Sequence, residues 1–588
     1  MKTTEANGIN FRITAVAVLF ALLFLGIAVK VIYLQVFCGE WLSRKAVGQI
    51  EKTLTTCGKR GMIYDTRLRE MAVSVDTTSV AAYPRQIHDT DETASALSGI
   101  LQMPPDPLRL KLISRRSFVW IRRQVPPKEE KAVRELKLAG IDFIPDTGRY
   151  YPNSTRAGQL IGFTGIDGRG LEGLEFYYNE QLRGKAYQFT VLKDALGKKF
   201  EAENEYHAAR SSGNNLVLTI DRTIQYIAEN ALSETLASFS ARSGMAIVMD
   251  PKTGAILALA NGPLFNPNSY RQFTRECWRN RAITDPFEPG STMKVFSAAA
   301  AIESGGCTPN TIFFCENGKY RIGDDVVHDT HPYGWLSLQK IIKHSSNIGA
   351  IKMGEMVGPE VLYRTLRDFG FGQKTGIDCP GETPGNLLPF EKWSKIDAGA
   401  ISFGHGISVS ALQLITALSA IANRGVLMKP YVVRAITDPG GGLVRSFGPC
   451  KVRQVVSEKT ADTVKKMMVS VVQSGGTGVR AALDGYSVCG KTGTSQKLNE
   501  KGEYAGDAYI ASFMGIVPVE NPRVAILVVI DEPRKDHYGG TVAGPAFRKI
   551  ARETLNYMNV PPQNSTERLT AFLKTRSSVE TIRAYPAP

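Results

Sequence analysis

Three short motifs stand in one order along this 588-residue chain, and a fold that uses them must bring distant segments into one pocket. They are residues 291–294 (Ser-Thr-Met-Lys), 345–347 (Ser-Ser-Asn) and 491–494 (Lys-Thr-Gly-Thr). The first offers a hydroxyl with an amine, the second a hydroxyl with an amide, and the third a cation for a carboxylate. Their order predicts a serine acyl-transfer site.

Similar strings occur elsewhere in the chain, so the surrounding sequence has to separate them. A second Ser-x-x-Lys begins at Ser337, and further Lys-Thr-Gly strings begin at Lys252 and Lys374. Lys252 follows an apolar run and fits a hairpin turn, Lys374 lies in a glycine-rich loop, and Ser337 lacks a Pro-Gly entry. We therefore interpret the two lysine strings as structural and favour Ser291 over Ser337 as the nucleophile.

The motif at residues 291–294 has the sequence of a helix start. Glu-Pro-Gly precedes it and an apolar run follows as far as Gly305, which predicts a buried helix. Positions three apart share a helix face, so the Lys294 amine should lie beside the Ser291 hydroxyl near the positive N-terminus. Alone, the pair fits a helix cap with a solvated lysine; with all three motifs in order, catalysis is favoured.

The other two motifs have weaker local signals. Ser345 and Asn347 follow a predicted helix and, in isolation, would cap that helix and its loop. Lys491 precedes two β-rich segments, residues 508–517 and 524–530. This arrangement predicts neighbouring antiparallel strands, with the Lys-Thr-Gly-Thr strand lining a cleft.

Composition excludes several classes of protein. With 43% hydrophobic and 22% charged residues, the chain is globular and long enough for several domains. Its net charge of +15 is spread out, without basic runs interleaved with aromatics, so an anionic cell wall and lipid surface is favoured over nucleic acid. The cysteines lack the spacing of a zinc site, and neither a metal nor a cofactor is predicted. Cys307 and Cys315 could pair or remain free, and His328 with His331 is interpreted as a polar loop.

Residues 13–36 are predicted to form a membrane anchor. Residues 13–29 are apolar and uncharged, and residues 31–37 continue the apolar run past Lys30, which is just long enough to cross a bilayer. No small-residue cleavage site follows, so a retained anchor is favoured over a removed signal peptide. Basic residues stand on both sides, and the orientation is therefore taken from the chemistry.

Longer strings around the motifs resemble the class B penicillin-binding transpeptidases, and within them the division-type FtsI and SpoVD group. Elongation-type relatives usually carry Pro-Pro-Gly where this chain has Glu-Pro-Gly before Ser291. The resemblance covers about residues 13–555 and rests on residues 60–65, 149–152, 162–175, 280–292, 375–382 and 402–406. One departure follows Asp65, where residues 66–69 replace the family's Arg-Asn-Gly turn, so a tight turn of that type is not expected there.

The resemblance implies a multidomain fold of the α+β or α/β class. It combines an N-terminal transmembrane helix, a mixed pedestal or dimerisation domain, and a β-lactamase-like penicillin-binding transpeptidase domain. The last is an antiparallel sheet flanked by helices, with a helical subdomain. The expected boundaries are a cytoplasmic N-terminus at 1–12, the anchor at 13–36, the pedestal at 37–213, the transpeptidase domain at 214–555 and a flexible tail at 556–588.

The resemblance also implies a role for each motif residue. Ser291 attacks the penultimate D-Ala carbonyl of a peptidoglycan stem peptide, Lys294 takes its proton, and Ser345 relays a proton to the leaving nitrogen. Asn347 hydrogen-bonds the substrate amide, and the N–H groups of Ser291 and Thr494 form an oxyanion hole. β-Lactams would stop at the acyl-enzyme. The residues expected to meet the substrate carboxylate are Lys491 and its neighbours Thr492, Gly493 and Thr494.

The predicted function is therefore a serine-type D-Ala-D-Ala transpeptidase of septal cell-wall synthesis, acylated by β-lactams. The alternatives are a carboxypeptidase or β-lactamase on the same scaffold, and a non-catalytic β-lactam sensor or divisome scaffold. The anchor and pedestal disfavour a secreted β-lactamase, and a sensor is expected to carry a cytoplasmic or multi-span signalling part.

The expected partners are D-Ala-D-Ala stem peptides, β-lactams, an FtsW-type glycosyltransferase and other division proteins. The expected location is the bacterial inner membrane, crossed once, with the N-terminus cytoplasmic and the catalytic domain periplasmic.

Overall fold

A computed structural model describes residues 3–193, 199–200, 211–322, 325–498 and 504–562. The chain divides into two compact units. One comprises Met1–Lys59 with Gly184–Ser212, and the other comprises Arg60–Arg183 with Gly213–Pro588. All three motifs lie in the second unit.

The first unit contains a long apolar helix followed by a short sheet. Its helical segments are Thr3–Ile32, a π-helical turn at Tyr33–Phe37, and Gly39–Ile50. The strands Glu51–Cys57, Ala186–Lys193 and Lys199–Phe200 form a three-stranded sheet. The 27-residue segment Phe11–Phe37 contains an 18-residue window with a mean hydropathy of 2.8, none of which is buried, so the segment is long and apolar enough to cross a bilayer. The predicted anchor at 13–36 falls within it.

In the second unit, a seven-stranded sheet joins residues from both sides of position 213. The strand pair Ile63–Tyr64 and Asn215–Leu218 at its centre is parallel, and the other ladders are antiparallel. The sheet therefore contains strands from both of the predicted domains, residues 37–213 and 214–555. The boundary between these domains stays a prediction. The strand order is Leu443–Ser446, Val433–Thr437, Asn215–Leu218, Ile63–Tyr64, Glu70–Ala82 and Val119–Val125, with Ile141–Tyr150 paired to Glu70–Ala82.

Short helices pack on the strands Glu70–Ala82 and Val119–Val125. A small apolar core lies between them, in which Leu97, Leu108 and Val133 contact Val80 and Ile121. The sequence predicts one of these helices over residues 129–139, but it spans Pro127–Glu135. It ends early because Lys137 adopts a left-handed conformation with a φ of +48°. The helices are Pro84–Gln86, Thr90–Leu101, Pro105–Leu112, Pro127–Glu135, Gly158–Ile161, Gly173–Tyr177 and Asn179–Leu182.

A tight turn does join the strands Ile63–Tyr64 and Glu70–Ala82, and the expectation that it is absent was wrong. Leu68 donates its N–H to the Asp65 carbonyl at 3.0 Å and adopts a φ of +59°. The buried Asp65 carboxylate accepts hydrogen bonds from the N–H groups of Arg67 and Arg69, each at 2.8 Å. These side-chain contacts hold a turn that the glycine of the usual sequence would form without strain.

The expected antiparallel sheet of the transpeptidase fold is present as a five-stranded sheet with helices on both faces. Every position of its middle strand, Val524–Asp531, is buried except the last, because neither face meets solvent. Val528 and Phe513 pack towards the helices Arg222–Phe239 and Gly544–Tyr557. The strand order is Ile256–Gly262, Ser243–Met249, Val524–Asp531, Tyr504–Val517 and Cys489–Leu498, all antiparallel.

The opposite face of the sheet packs on the fully buried helix Ala411–Ala422 and on the helical subdomain. Ser410 and Gln413 form a capping box at the start of that helix. The subdomain holds the first two motifs. Its helices are Lys294–Glu303, Leu338–His344, Asn347–Val357, Pro359–Asp368 and Lys395–Ser402, and the helix Glu458–Val472 packs beside them.

The remaining elements of the second unit are short. Paired strands are Ile312–Phe314 with Trp335–Ser337, Lys319–Ile322 with Asp325–His328, and Val426–Met428 with Lys451–Gln454. The short helices are Pro267–Gln272, Arg275–Trp278, Arg281–Thr284, Gly290–Met293, Glu316–Gly318, Phe390–Lys392, Val479–Ala481 and Gly539–Val542.

Some expectations fall partly outside the described residues. The predicted flexible tail begins at residue 556, but the helix Gly544–Tyr557 continues past that point, and residues 563–588 lie outside the described part. Of the two cysteines that could have paired, Cys307 and Cys315 are both buried free thiols.

We expect Leu68→Gly to stabilise the protein, because it removes the strain of a β-carbon at a φ of +59°. A left-handed non-glycine residue costs about 1 kcal/mol, partly offset by the greater chain entropy of glycine when unfolded. The free energy of unfolding, measured by thermal unfolding, should therefore rise by up to about 1 kcal/mol. Leu68→Ala is the control, since it shortens the same exposed side chain but keeps the β-carbon. An equal gain in both variants would assign the effect to the side chain instead.

Candidate active site

The Ser291 hydroxyl is presented by a tight turn at the start of a buried helix. Residues Gly290–Met293 form a 3₁₀ turn that runs into the helix Lys294–Glu303. Gly290 has a φ of +53°, and a β-carbon there would lie 2.8 Å from the Thr494 carbonyl oxygen. The glycine therefore lets the serine turn approach the Lys-Thr-Gly-Thr strand closely.

The Lys294 amine lies at the centre of the site and is fully buried. Its Nζ donates to Ser291 Oγ at 3.0 Å, as the predicted helix spacing requires. It also donates to Ser345 O at 2.6 Å, Ser345 Oγ at 3.2 Å and Asn347 Oδ1 at 2.7 Å. The first two motifs thus meet at one nitrogen.

The second motif both caps helices and lines the site. Ser345 follows the helix Leu338–His344 in a left-handed conformation, with a φ of +62°, and Ser346 caps the helix Asn347–Val357. The capping interpretation is therefore right for this turn. The same conformation directs the hydroxyl of Ser345 and the amide of Asn347 at Lys294.

The third motif lies on Cys489–Leu498, the edge strand of the five-stranded sheet, where a cleft-lining strand was predicted. The fully buried Lys491 donates to Ser345 Oγ at 2.9 Å and to the Thr492 carbonyl at 3.1 Å. Thr494 Oγ1 accepts a hydrogen bond from the Gly539 N–H at 3.1 Å. A β-carbon on Gly493 would lie 2.3 Å from Ser512 Oγ and 2.9 Å from Thr292 Cγ2, so only glycine fits between the strand and the serine turn.

Burial sets the charge of both amines. It lowers the pKa of Lys294 to about 7, while the Asp329 carboxylate acts in the opposite direction. Burial, and then the charge of Lys294, lowers the pKa of Lys491 well below its usual range. The same two causes lower the pKa of His405 to about 4. Near neutral pH the pair of lysines therefore does not hold two full charges, and a neutral amine is available beside Ser291.

The geometry brings together Ser291, Lys294, Ser345, Asn347 and Lys491. An amine at hydrogen-bond distance from a serine can remove its proton during attack on a carbonyl. Ser345 Oγ, with two lone pairs and one proton, can accept from both amines and still donate to a substrate atom. Thr492 contacts Lys491 Nζ through its carbonyl, and Gly493 and Thr494 complete the same strand.

The two other Lys-Thr-Gly strings lie in a turn and a loop, as predicted. Lys252 lies in the turn between the strands Ser243–Met249 and Ile256–Gly262, and Lys374 lies in a loop. Ser337 caps the helix Leu338–His344, where its Oγ accepts from the Lys340 N–H at 3.3 Å.

Several residues of the site carried no sequence motif. Asp329 accepts hydrogen bonds from the start of the helix Asn347–Val357, and the His328 carbonyl accepts from Asn347 Nδ2 at 3.1 Å. Thr477 Oγ1 and Thr492 Oγ1 are 2.9 Å apart. Only the pairing of distant loops brings these residues to the site, and no local spacing indicates it.

The chain matches two protein families. Residues 244–552 match the penicillin binding protein transpeptidase domain, and residues 55–218 match the penicillin-binding protein dimerisation domain. The chain is 36% identical to the probable peptidoglycan D,D-transpeptidase PenA of Neisseria meningitidis, over 97% of this chain and 96% of PenA. It is 33% identical to the peptidoglycan D,D-transpeptidase FtsI of Escherichia coli, over 96% and 94% respectively.

The fold is also similar to that of a penicillin-binding protein of known structure. Penicillin-binding protein 3 of Mycobacterium tuberculosis, complexed with aztreonam, superposes with a TM-score of 0.68 at 28% identity. The similarity covers 87% of this chain and 98% of that one.

We expect Gly493→Ala to impair the site, because its β-carbon would force the strand away from the serine turn. Overpacking of this kind costs about 1–3 kcal/mol, so covalent labelling by a fluorescent penicillin should slow about tenfold or more. Gly506→Ala is the matched control in the adjacent strand, where no atom lies within 4 Å of the added carbon. Equal labelling rates for the two variants would show that the close approach is unimportant.

Proposed function

The chain belongs to the class B penicillin-binding proteins of the FtsI and SpoVD type, and we propose that its peptidoglycan D,D-transpeptidase reaction runs through Ser291. The observation that carries the proposal is the buried Lys294 amine, 3.0 Å from Ser291 Oγ. A serine hydroxyl is a weak nucleophile at neutral pH, and this amine supplies the base that it needs.

In the acylation step, Ser291 Oγ attacks the carbonyl carbon of the penultimate D-Ala of a stem peptide. Its proton passes to Lys294 Nζ as the carbon–oxygen bond forms. The negative charge on the carbonyl oxygen is stabilised by the N–H groups of Ser291 and Thr494, each worth about 3 kcal/mol in such sites. The close approach of the serine turn to the edge strand supports this pair of donors.

Collapse of the tetrahedral intermediate breaks the amide bond and releases the terminal D-Ala. Its nitrogen needs a proton, which Ser345 Oγ donates and regains from Lys294, since the two groups lie 3.2 Å apart. Asn347 holds Lys294 through Oδ1 and binds the substrate amide. The proton that left Ser291 thereby reaches the leaving group.

Lys491 and its strand receive the terminal carboxylate of the donor peptide. Lys491 Nζ lies 2.9 Å from Ser345 Oγ and 3.4 Å from the hydroxyl of Thr492 on its own strand. An entering carboxylate favours the charged form of Lys491, so substrate binding offsets the burial that lowers its pKa. Thr492 and Thr494 add hydroxyl donors on the same strand, where Gly493 admits the close contact.

An amine of a neighbouring stem peptide then attacks the acyl-enzyme and forms the crosslink. A β-lactam enters in the same way but leaves Ser291 acylated. Water in place of the amine would make the protein a carboxypeptidase, which remains the second candidate because both reactions use the same acyl-enzyme.

We propose the domain organisation on the same basis. The dimerisation match at 55–218 supports a pedestal at 37–213, and the transpeptidase match at 244–552 supports a catalytic domain at 214–555. The apolar segment Phe11–Phe37 supports a single-pass anchor, with the N-terminus cytoplasmic and the catalytic domain periplasmic, where the stem peptides are. An FtsW-type glycosyltransferase and other division proteins are the proposed partners of a septal enzyme.

Incubation of the purified protein with a D-Ala-D-Ala stem peptide tests the function. With an added amine acceptor we expect released D-Ala and a crosslinked product, and Ser291→Ala should form neither because it lacks the nucleophile. Mass spectrometry separates the crosslinked from the hydrolysed donor. Hydrolysis alone, at every acceptor concentration, would favour the carboxypeptidase, and activity in Ser291→Ala would refute the nucleophile.

The rate of acylation should rise with pH through about 7. Lys294 accepts the Ser291 proton only when neutral, and its pKa of about 7 leaves about a tenth of the amines neutral at pH 6. The second-order rate constant for acylation by a penicillin should therefore fall about tenfold from its plateau to pH 6. Stopped-flow labelling from pH 5 to 9 measures it. A flat profile would exclude Lys294 as the base.

A further inference from the structure

Asp329 is a half-buried carboxylate outside the three motifs, in the segment that follows the strand Asp325–His328. Its oxygens accept hydrogen bonds from Ser346 Oγ at 2.5 Å, the Asn347 N–H at 2.5 Å and the Ile348 N–H at 3.1 Å. Within the described residues it forms no ion pair. Its negative charge is therefore held by the first turn of the helix Asn347–Val357 and not by an arginine or lysine at contact distance.

That helix start is also what surrounds Lys294. Of the four acceptors around Lys294 Nζ, Ser345 supplies two and Asn347 supplies one. Asn347 is thus held from both sides: its backbone N–H by Asp329, and its side-chain oxygen by Lys294. A shift of Asp329 would move most of the oxygens that solvate the buried amine.

Three charged or titratable groups are electrostatically coupled to the Lys294 amine. Asp329, on the connection before the strand Trp335–Ser337, favours its charged form. Burial and then the charge of Lys294 lower the pKa of Lys491, on the edge strand, and of His405, in the loop after the helix Lys395–Ser402. Asp329 is the one carboxylate among these three groups, so it counterbalances the burial that favours the neutral amine.

We propose that Asp329 is a positioning residue of the acylation reaction, which holds the Ser345–Asn347 turn against Lys294. The charge of Asp329 also favours the protonated form of that amine. The inference deepens the proposed function and rests on it. It adds a residue from outside the three motifs to the control of the general base.

The charge of Asp329 has opposite effects before and during attack. It keeps part of the Lys294 population charged, which lowers the fraction ready to act near neutral pH. It also stabilises the ammonium that forms when Ser291 gives up its proton, which makes Lys294 a stronger base. Loss of the charge should therefore free the amine at lower pH and yet slow the fully active enzyme.

The test compares pH profiles of acylation for two uncharged variants, Asp329→Asn and Asp329→Ser, with the charged variant Asp329→Glu. In the uncharged variants, the rise of the acylation rate constant with pH (the acidic limb) should occur about one pH unit lower than in the native protein. The maximal rate constant, reached on the plateau at higher pH, should fall. Asp329→Glu should lower the plateau but leave the limb near that of the native protein. Thermal unfolding of each variant shows whether it is folded.

Ser346→Ala is the matched control, because it removes one hydrogen bond to Asp329 and the helix cap but no charge. It should lower the plateau without moving the limb. A lower plateau with an unmoved limb in both uncharged variants, or their failure to fold, would reduce Asp329 to a structural residue. Absence of any limb in the native protein would instead overturn the proposed role of Lys294, so the two failures are distinguishable.

Discussion

The proposed active site depends on two lysine amines that are buried around one serine hydroxyl. Lys294 and Lys491 both donate to Ser345 Oγ, at 3.2 and 2.9 Å, and neither is exposed to water. A buried ammonium loses its hydration, and two of them oppose each other, so the environment favours a neutral amine. The property that would make Lys294 a base at neutral pH is thus a consequence of enclosure, and the fold has to supply that enclosure.

Glycine makes the enclosure possible at the two points where backbone meets backbone. Gly290 allows the serine turn to approach the Thr494 carbonyl, and Gly493 allows the edge strand to pass Thr292 and Ser512. With a side chain at either position the strand and the turn would separate, and water would reach the amines. The sheet behind them resists such movement, because its middle strand Val524–Asp531 is covered on both faces.

Much of this arrangement can be predicted from the sequence, and the parts that cannot be predicted have physical reasons. Helix spacing alone places Lys294 beside Ser291. The two β-rich segments that follow Lys491 in the sequence place that lysine on a sheet. No local pattern indicates Asp329, because two of its three side-chain partners are backbone N–H groups that any residue could offer, and the third, the Ser346 hydroxyl, is distant in sequence. The turn at Leu68 was missed for a related reason: hydrogen bonds from the N–H groups of Arg67 and Arg69 to the Asp65 carboxylate maintain a left-handed conformation that a leucine disfavours.

Burial of these amines also destabilises the domain that contains them. A lysine whose pKa falls from its usual range to about 7 on folding must lose its proton or its hydration, and either opposes folding at neutral pH. The protein offsets this cost with hydrogen bonds from each amine and with apolar packing on both faces of the five-stranded sheet. Replacement of Lys294 by a neutral apolar residue should accordingly relieve the cost of burial while it removes the proposed base, so stability and the proposed chemistry make opposite demands at this position.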